Sequence, residues 1–148
     1  MLVYFALLVL QSIWPVEAHG PIIEGRGTAI DAQTIRVGSV SVQLANLELP
    51  ALDSVCLLRD KPTNCRAAAR SELQAALSYG TVQCSGVDEA PTRAHCVVWA
   101  DDAHIYAPLI LGRMLIAQGL MRAAPDSEWR EVEAESKAQK QGMWAFSD

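Results

Sequence analysis

The chain has 148 residues, with 12 Lys and Arg against 17 Asp and Glu and a formal net charge of -5. Once the predicted N-terminal leader described below is set aside, the remaining length suits one domain with a single hydrophobic core and is too short for two domains. Proteins that bind nucleic acids usually present a clustered basic surface, whereas the Lys and Arg residues here are scattered along an acidic chain. The composition therefore does not favour a nucleic-acid partner.

Residues 1–18 have the pattern of an export signal. Residues 2–10 form an almost unbroken apolar run, and Val16-Glu17-Ala18 places small residues at the spacing that a signal peptidase recognises. The run is too short for a membrane-spanning helix, which needs about 20 apolar residues, and no Lys or Arg precedes it. The pattern predicts cleavage after Ala18 and an exported product, periplasmic or extracellular, with one domain over residues 19–148. A retained anchor is the alternative.

Three short strands are predicted next, over residues 27–30, 33–37 and 39–44. Polar and apolar residues alternate in the latter two, as expected for strands with one face on a core. Asp31-Ala32 and Gly38-Ser39 contain residues typical of turns. The segment is therefore expected to form consecutive strands joined by tight turns.

The four cysteines indicate two disulfides. A zinc site would need Cys-x-x-Cys or closely spaced His partners, and neither occurs in the chain. Cys56 and Cys65 bracket a short polar loop, while Cys84 and Cys96 lie on two predicted strands that a hairpin would bring together. Sequence alone permits three pairings, of which we favour Cys56–Cys65 with Cys84–Cys96.

A helix is predicted over residues 66–79. Ala69, Leu73 and Leu77 fall on one face of it, as the helical period requires. Gly80 stands where a left-handed C-terminal cap would end the helix. This is the clearest helical pattern in the chain.

The remaining elements alternate between strand and helix. Strands are predicted over residues 81–85 and 94–100. Pro108 suits the first turn of a second helix that runs to about residue 120. A third helix is expected from Ser127 to about residue 141, where Gly142 would stop it.

The segment Asp31-Ala32-Gln33-Thr34-Ile35 and the segment from Val42 to Ala51 resemble motifs of the staphylococcal-nuclease (thermonuclease-like) family. Members of that family carry an Asp-Gly-Asp-Thr turn and then an Ile-Arg-Leu-x-Gly-Ile-Asp-x-Pro-Glu strand. Further stretches that match in order and spacing are Cys65-Arg66-Ala67-Ala68, Val82-Gln83-Cys84, Arg93-Ala94-His95-Cys96, residues 115–120, Glu133-Ala134-Glu135 and Gln141-Gly142-Met143-Trp144. The resemblance covers nearly all of residues 19–148.

The resemblance implies an α+β fold, with a five-stranded Greek-key β-barrel of the OB type packed with about three α-helices. It also implies a phosphodiester-hydrolysing site. In that site two Asp side chains and one backbone carbonyl hold a calcium ion, and a Glu activates or positions water. Two Arg side chains stabilise the charge that builds on the phosphate in the transition state.

The two metal-ligand positions contain Gln33 and Glu48. Gln33 offers a neutral carbonyl oxygen, whereas Glu48 keeps the charge with an added methylene group. Leu49 supplies at most its backbone carbonyl, and Asp31 matches a supporting acid of the motif. The resemblance therefore implies a degenerate calcium site at Asp31 and Glu48, with Ca2+ as a cofactor only if this residual site functions.

The positions that act on phosphate and water have changed as well. Gln43 replaces the first phosphate-binding Arg, which removes a charged transition-state donor. Ala51 replaces the water-activating Glu, whose general-base help is typically worth ~10²- to 10⁴-fold. Arg93 matches the second Arg, so it is the one retained catalytic position. A solvated side chain at a strand end is the alternative interpretation of Arg93.

Four other side chains could suggest chemistry. His95 and His104 are expected as surface or half-buried residues rather than general bases. Trp129 stands near the place where active relatives stack an aromatic ring on a base, yet its helical spacing favours the core. Trp144 is expected to pack the last helix onto the barrel.

The three missing roles favour loss of efficient hydrolysis. The sequence predicts an exported thermonuclease-like domain with lost or strongly reduced phosphodiesterase activity that acts as a binding or structural module. The alternative is a divalent-metal-dependent nuclease that hydrolyses DNA or RNA with Glu48, Asp31 and Arg93 in a rearranged site. A third hypothesis is an envelope module whose barrel binds a protein partner, because fold alone does not determine function.

Overall fold

The computed structural model describes residues 22–86, 93–100, 104 and 106–146. The predicted export signal at residues 1–18 lies outside this part of the chain. Every helix in the described part falls short of the length and apolar character that a bilayer-spanning helix requires.

The described residues form eleven β-strands, three α-helices and one 3-10 helix. The strands are β1 (Ile22–Gly25), β2 (Gly27–Ala29), β3 (Thr34–Val37), β4 (Val40–Leu44), β5 (Leu47–Glu48), β6 (Val55–Leu58), β7 (Lys61–Asn64), β8 (Thr81–Gly86), β9 (Arg93–Trp99), β10 (Leu109–Ile110) and β11 (Arg122–Ala123). The helices are α1 (Cys65–Leu77), α2 (Leu111–Ala117), α3 (Arg130–Ala138) and the 3-10 helix Met143–Phe146.

Seven strands form the main sheet, in the hydrogen-bonded order β1-β8-β9-β4-β3-β2, with β10 pairing with β9. Strands β4 and β9 run parallel, and the other described neighbours run antiparallel. Although β1 and β2 stand at opposite ends of this order, Arg26 alone separates them along the chain. Two smaller sheets pair β5 with β11 and β6 with β7.

The predicted α+β class and its three helices are confirmed. The strand order of the described residues is that of an open sheet, without a strand pair that closes it into a cylinder. The five-stranded OB-type barrel therefore stays a prediction.

The core lies between one face of the main sheet and the helices. Along β3 and β4 the buried residues alternate with exposed ones, as predicted; the buried ones are Ile35, Val37, Val42 and Leu44. Helix α1 contributes its predicted face, including Ala69, Leu73 and Leu77, and α2 contributes Leu111, Leu115 and Ile116. Burying each large aliphatic side chain stabilises the fold by about 1.5–3 kcal/mol.

The second and third helices are shorter than predicted. Helix α2 begins at Leu111, not near Pro108, because Leu109 and Ile110 pair with β9 as a strand. Helix α3 begins at Arg130, not at Ser127, and ends at Ala138. The apolar period therefore predicted that both helices exist. It could not predict where α2 begins, because the pairing of Leu109 and Ile110 with β9 is a tertiary contact.

The prediction that Gly80 is a left-handed helix cap is wrong. Helix α1 ends at Leu77, and its C-cap is Ser78 in a right-handed conformation. Gly80 is absent from the residues with positive φ, all of which lie elsewhere in the described part. A Cβ at Gly80 would instead overlap the carbonyl oxygen of Trp99. Close approach of the backbone to β9 is thus the reason for glycine here.

We expect Gly80→Ala to lower the free energy of unfolding by about 3 kcal/mol, because its methyl group meets backbone atoms that cannot move without disturbing β9. Gly38→Ala is the matched control. Gly38 has a φ of 62° but open space around it, so conformational strain alone should cost about 1 kcal/mol. Urea denaturation followed by circular dichroism measures both changes, and equal losses would contradict the steric explanation.

The predicted polar loop between Cys56 and Cys65 is a β-hairpin instead. Strands β6 and β7 pair antiparallel, with Leu58 opposite Lys61. The two turn residues, Arg59 and Asp60, have φ values of 48° and 64°, as in a type I′ turn. This turn usually contains Gly or Asn, so the sequence lacks the signal that would have predicted the hairpin.

Both favoured disulfides are confirmed. Cys56 is bonded to Cys65 and Cys84 to Cys96, with S–S distances of 2.04 and 2.03 Å. Cys84 and Cys96 stand directly opposite each other in the β8–β9 pair. These two bonds account for every cysteine of the chain. Two buried structural disulfides indicate an oxidising, exported compartment.

The C-terminal segment is held at two points by backbone hydrogen bonds. The Leu57 N–H of the hairpin donates to the Gly142 oxygen at 3.0 Å, and the Met143 N–H donates to the Gly119 oxygen at 2.9 Å. A Cβ on Gly119 would overlap the backbone at Gln141, and one on Gly142 would overlap that of Gly119. The two glycines thus let the chain cross itself closely, which seats the 3-10 helix against the hairpin and the end of α2.

Candidate functional site

Asp31 holds the turn between β2 and β3. Its Oδ1 accepts the backbone N–H groups of Gln33 at 2.9 Å and Thr34 at 2.8 Å. Aspartate side chains commonly stabilise turns by accepting hydrogen bonds from the backbone N–H groups two and three residues later in the chain. Asp31 is exposed, and one of its carboxylate oxygens already stabilises the turn.

Gln33, at the first predicted metal-ligand position, is buried, with 8% of its surface exposed. Its Nε2 donates to the carbonyl oxygens of Leu44 at 3.3 Å and Leu47 at 3.2 Å. These bonds attach the start of β3 to the chain between β4 and β5. An ionised carboxylate accepts hydrogen bonds but cannot donate them, so an ionised aspartate at this position could make neither contact.

Gln43 and Arg93 are neighbours in the sheet. They are paired in the parallel register of β4 and β9, and both are exposed. The next pair in register, Leu44 and Ala94, is buried, which puts Gln43 and Arg93 together on the opposite face. The fold thus brings the two predicted phosphate-binding positions side by side, and only Arg93 of this pair carries a positive charge.

The other predicted positions lie on β5 and in the loop that follows. Glu48 is exposed and stands opposite Arg122 of β11. Ala51 is exposed, and its carbonyl oxygen accepts the Ser54 N–H at 3.0 Å. No group of three or more His, Cys, Asp or Glu residues in the described part could hold a metal ion. The structure therefore brings Gln43 and Arg93 together but does not assemble a ring of acidic ligands from these residues.

A cavity of about 280 Å³ lies beside the Asp31 turn. Its lining includes Asp31, Leu49 and two arginines of α1, Arg66 and Arg70. The Nε of Arg66 donates to the Pro50 oxygen at 2.8 Å. The sequence analysis missed these two arginines, although their i,i+4 spacing on the exposed side of a predicted helix is a detectable signal.

His95, His104 and Trp129 lie where they were expected, at half-buried, exposed and core positions respectively. His95 is half-buried, 5.9 Å from the Trp129 ring centroid in a T-shaped contact, and His104 stacks on Trp99 at 4.0 Å. Trp129 is 9% exposed and belongs to the core, where Gly112 lies against its ring. Trp144 packs with the cation of Lys137 4.5 Å from its ring centroid.

Comparison with known proteins leaves the family unassigned: no protein-family model matches the chain, and no curated protein matches it significantly.

Proposed function

We propose that this chain is an exported, thermonuclease-like domain that has lost most or all phosphodiesterase activity and acts as a binding or structural module. The observation that carries this proposal is the amide of Gln33, which is committed to two backbone carbonyls at the position where the family needs an anionic metal ligand. A neutral side chain with a structural task contributes no charge to calcium binding.

The neighbouring positions support the same conclusion. Gln43 lies beside Arg93 on an exposed face, so a phosphate there would meet one guanidinium instead of two. Ala51 has no group that could take a proton from water. Metal, phosphate and water functions would therefore all need new residues before hydrolysis could be efficient.

The OB-type barrel is part of this proposal. Residues 22–29 pair with β8 through β1 and with β3 through β2, and Arg26 alone separates the two segments. A single bent strand of this kind would join both ends of the sheet and close five strands into a barrel. Gly25, whose φ is 156°, and Gly27 flank the bend, where glycine is common.

Export to the periplasm or the extracellular space is also proposed. Its support is the leader pattern in residues 1–18 together with two buried disulfides. An acidic mature chain favours a protein or other non-nucleic-acid partner over a polyanion.

The mature protein should hydrolyse labelled single-stranded DNA and RNA at a rate that calcium, magnesium and manganese do not raise above the rate in chelator. Glu48→Ala, purified in the same way, is the matched control, because a contaminating nuclease would cleave equally in both preparations. Cleavage that is lost both with chelator and in Glu48→Ala would overturn the proposal in favour of a nuclease with a rearranged site.

A further inference from the structure

A groove runs along the outer side of α1, next to β2. It consists of two adjoining cavities of about 280 and 720 Å³ that share Ala67 and Arg70 as lining residues. We call it the α1 groove. The first cavity adds Arg66, Ile30 and Leu49, and the second adds Thr28, Ser71, Gln74 and Ser78.

The helix supplies one continuous wall. The lining residues of the second cavity that come from this segment recur at helical spacing, on the side of α1 opposite its buried face. They are residues 67, 70, 71, 74, 75 and 78. A helix of 13 residues is about 20 Å long, the length of roughly six residues of extended chain. The α1 groove therefore has the dimensions of a site for a short extended segment.

The charge at one end of the groove is positive. Arg66 and Arg70 are one helical turn apart, with about 6 Å between their Cβ atoms. Arg66 uses its Nε for the Pro50 oxygen, and Arg70 has no hydrogen bond or ion pair with any residue that the structure describes. The chain as a whole has a net charge of -5, so this pair is a local exception. It is complementary to carboxylates, which guanidinium groups bind through two parallel hydrogen bonds.

The rest of the lining suits a polypeptide. Ile30 and Leu49 are 38% and 37% exposed beside the arginines and offer apolar contacts to an aliphatic side chain. Further along, the hydroxyl groups of Thr28 and Ser71 have no hydrogen-bond partner in the described part of the chain. Such groups can bond to the backbone of an extended segment.

We propose that the α1 groove binds an extended segment of a partner protein in which acidic and aliphatic side chains occur together, with a carboxylate held by Arg66 and Arg70. This inference rests on the binding role proposed above, and it names the partner's chemistry. Nucleic acid fits the groove less well, because none of the named lining residues is aromatic and its bases would have no ring to stack on.

The probe is a fluorescently labelled octapeptide with two glutamates and two leucines in one half and serines and alanines in the other, together with its reversed sequence. We expect saturable binding of at least one of them to the mature protein, measured by fluorescence anisotropy. Arg70→Glu should weaken that binding at least about tenfold, and Arg70→Lys should weaken it less, because lysine keeps the charge and loses the fork.

Arg113→Glu is the matched control, since Arg113 is also an exposed helical arginine but lies on α2 at other cavities. It should change the dissociation constant by less than about twofold. Absence of saturable binding, equal binding of a peptide with glutamine for glutamate, equal weakening by Arg70→Glu and Arg113→Glu, or displacement by oligothymidylate at lower concentration than by unlabelled peptide would each overturn the proposal. The hydrolysis assay is independent of these outcomes, so peptide binding by an active nuclease would refute only the loss of activity.

Discussion

A variant that combines Gln33→Asp, Gln43→Arg, Glu48→Asp and Ala51→Glu is expected to cleave single-stranded DNA in calcium at least about 10²-fold faster than the unmodified protein. The substitutions would add an anionic metal ligand at residue 33, shorten the anionic ligand at residue 48, and supply a guanidinium beside Arg93 and a carboxylate to activate water. The register of β4 and β9 already pairs residue 43 with Arg93, so a second arginine would share the same exposed face.

This gain should come with a loss of stability. Gln33→Asp removes the donors to the Leu44 and Leu47 oxygens, and leaving a buried carbonyl without its partner costs about 1–3 kcal/mol. Gln33→Asp alone should therefore unfold at lower urea concentration than the unmodified protein without gaining activity. Urea denaturation and hydrolysis are measured on both variants.

A second control separates chemistry from fold. The same combined variant with Ala51→Gln in place of Ala51→Glu has an amide of the same shape that cannot accept a proton from water. It should lose most of the gained activity while unfolding at the same urea concentration. If the fully restored variant folds but shows no cleavage that chelator abolishes, the assignment of these positions by resemblance is wrong.

Removal of the Cys84–Cys96 bond should produce the largest loss of stability among single structural features. We expect the double variant Cys84→Ala, Cys96→Ala to lose about 3–5 kcal/mol of unfolding free energy. The bond cross-links neighbouring strands in the middle of the sheet order, and both residues are buried, so small cavities add to the loss of the cross-link.

Urea denaturation followed by tryptophan fluorescence measures this change. Arg36→Ala, an exposed substitution on β3, is a control that should alter stability by less than about 0.5 kcal/mol. A loss of under about 1 kcal/mol in the cysteine variant would show that the disulfide does not constrain the fold as the structure indicates.

The parts of the fold that were predicted correctly are those with a local signal. The alternation of β3 and β4 and the apolar face of α1 each follow from the period of a few consecutive residues. The disulfide pairing followed from the expectation that two strands would form a hairpin, which β8 and β9 do. Local periodicity was therefore sufficient for these individual elements, and cysteine spacing for the disulfides, whereas the α+β class was taken from the family resemblance.

The errors lie where distant segments compete for the same residues. Leu109 and Ile110 leave their predicted helix because β9 offers them hydrogen-bond partners. Gly80 is explained by the carbonyl of Trp99, which sequence spacing cannot place. The two-residue turn at Arg59 and Asp60 has left-handed residues without glycine, so no composition signal marked it.

The candidate site shows the same division. The resemblance named Gln33, Gln43 and Arg93, but it did not reveal that the Gln33 amide bonds to two carbonyls, because hydrogen-bond partners depend on the folded backbone. Arg66 and Arg70 carry a signal that only becomes meaningful beside a cavity. Motif comparison thus identifies which side chains are missing more readily than what their replacements do.

The backbone hydrogen bonds at Gly142 and Met143 determine when the hairpin and the end of α2 can complete their own hydrogen bonding. Synthesis and export both deliver the chain from its N-terminus, so the residues of the β6–β7 hairpin and of the end of α2 are present before their backbone partners at residues 142 and 143. Until residues 142 and 143 emerge, the Leu57 N–H and the Gly119 oxygen lack these partners. A chain that stops before residue 142 would therefore leave these two backbone groups unpaired between the hairpin and α2, and such a product should be a preferred substrate for proteases that clear incomplete chains.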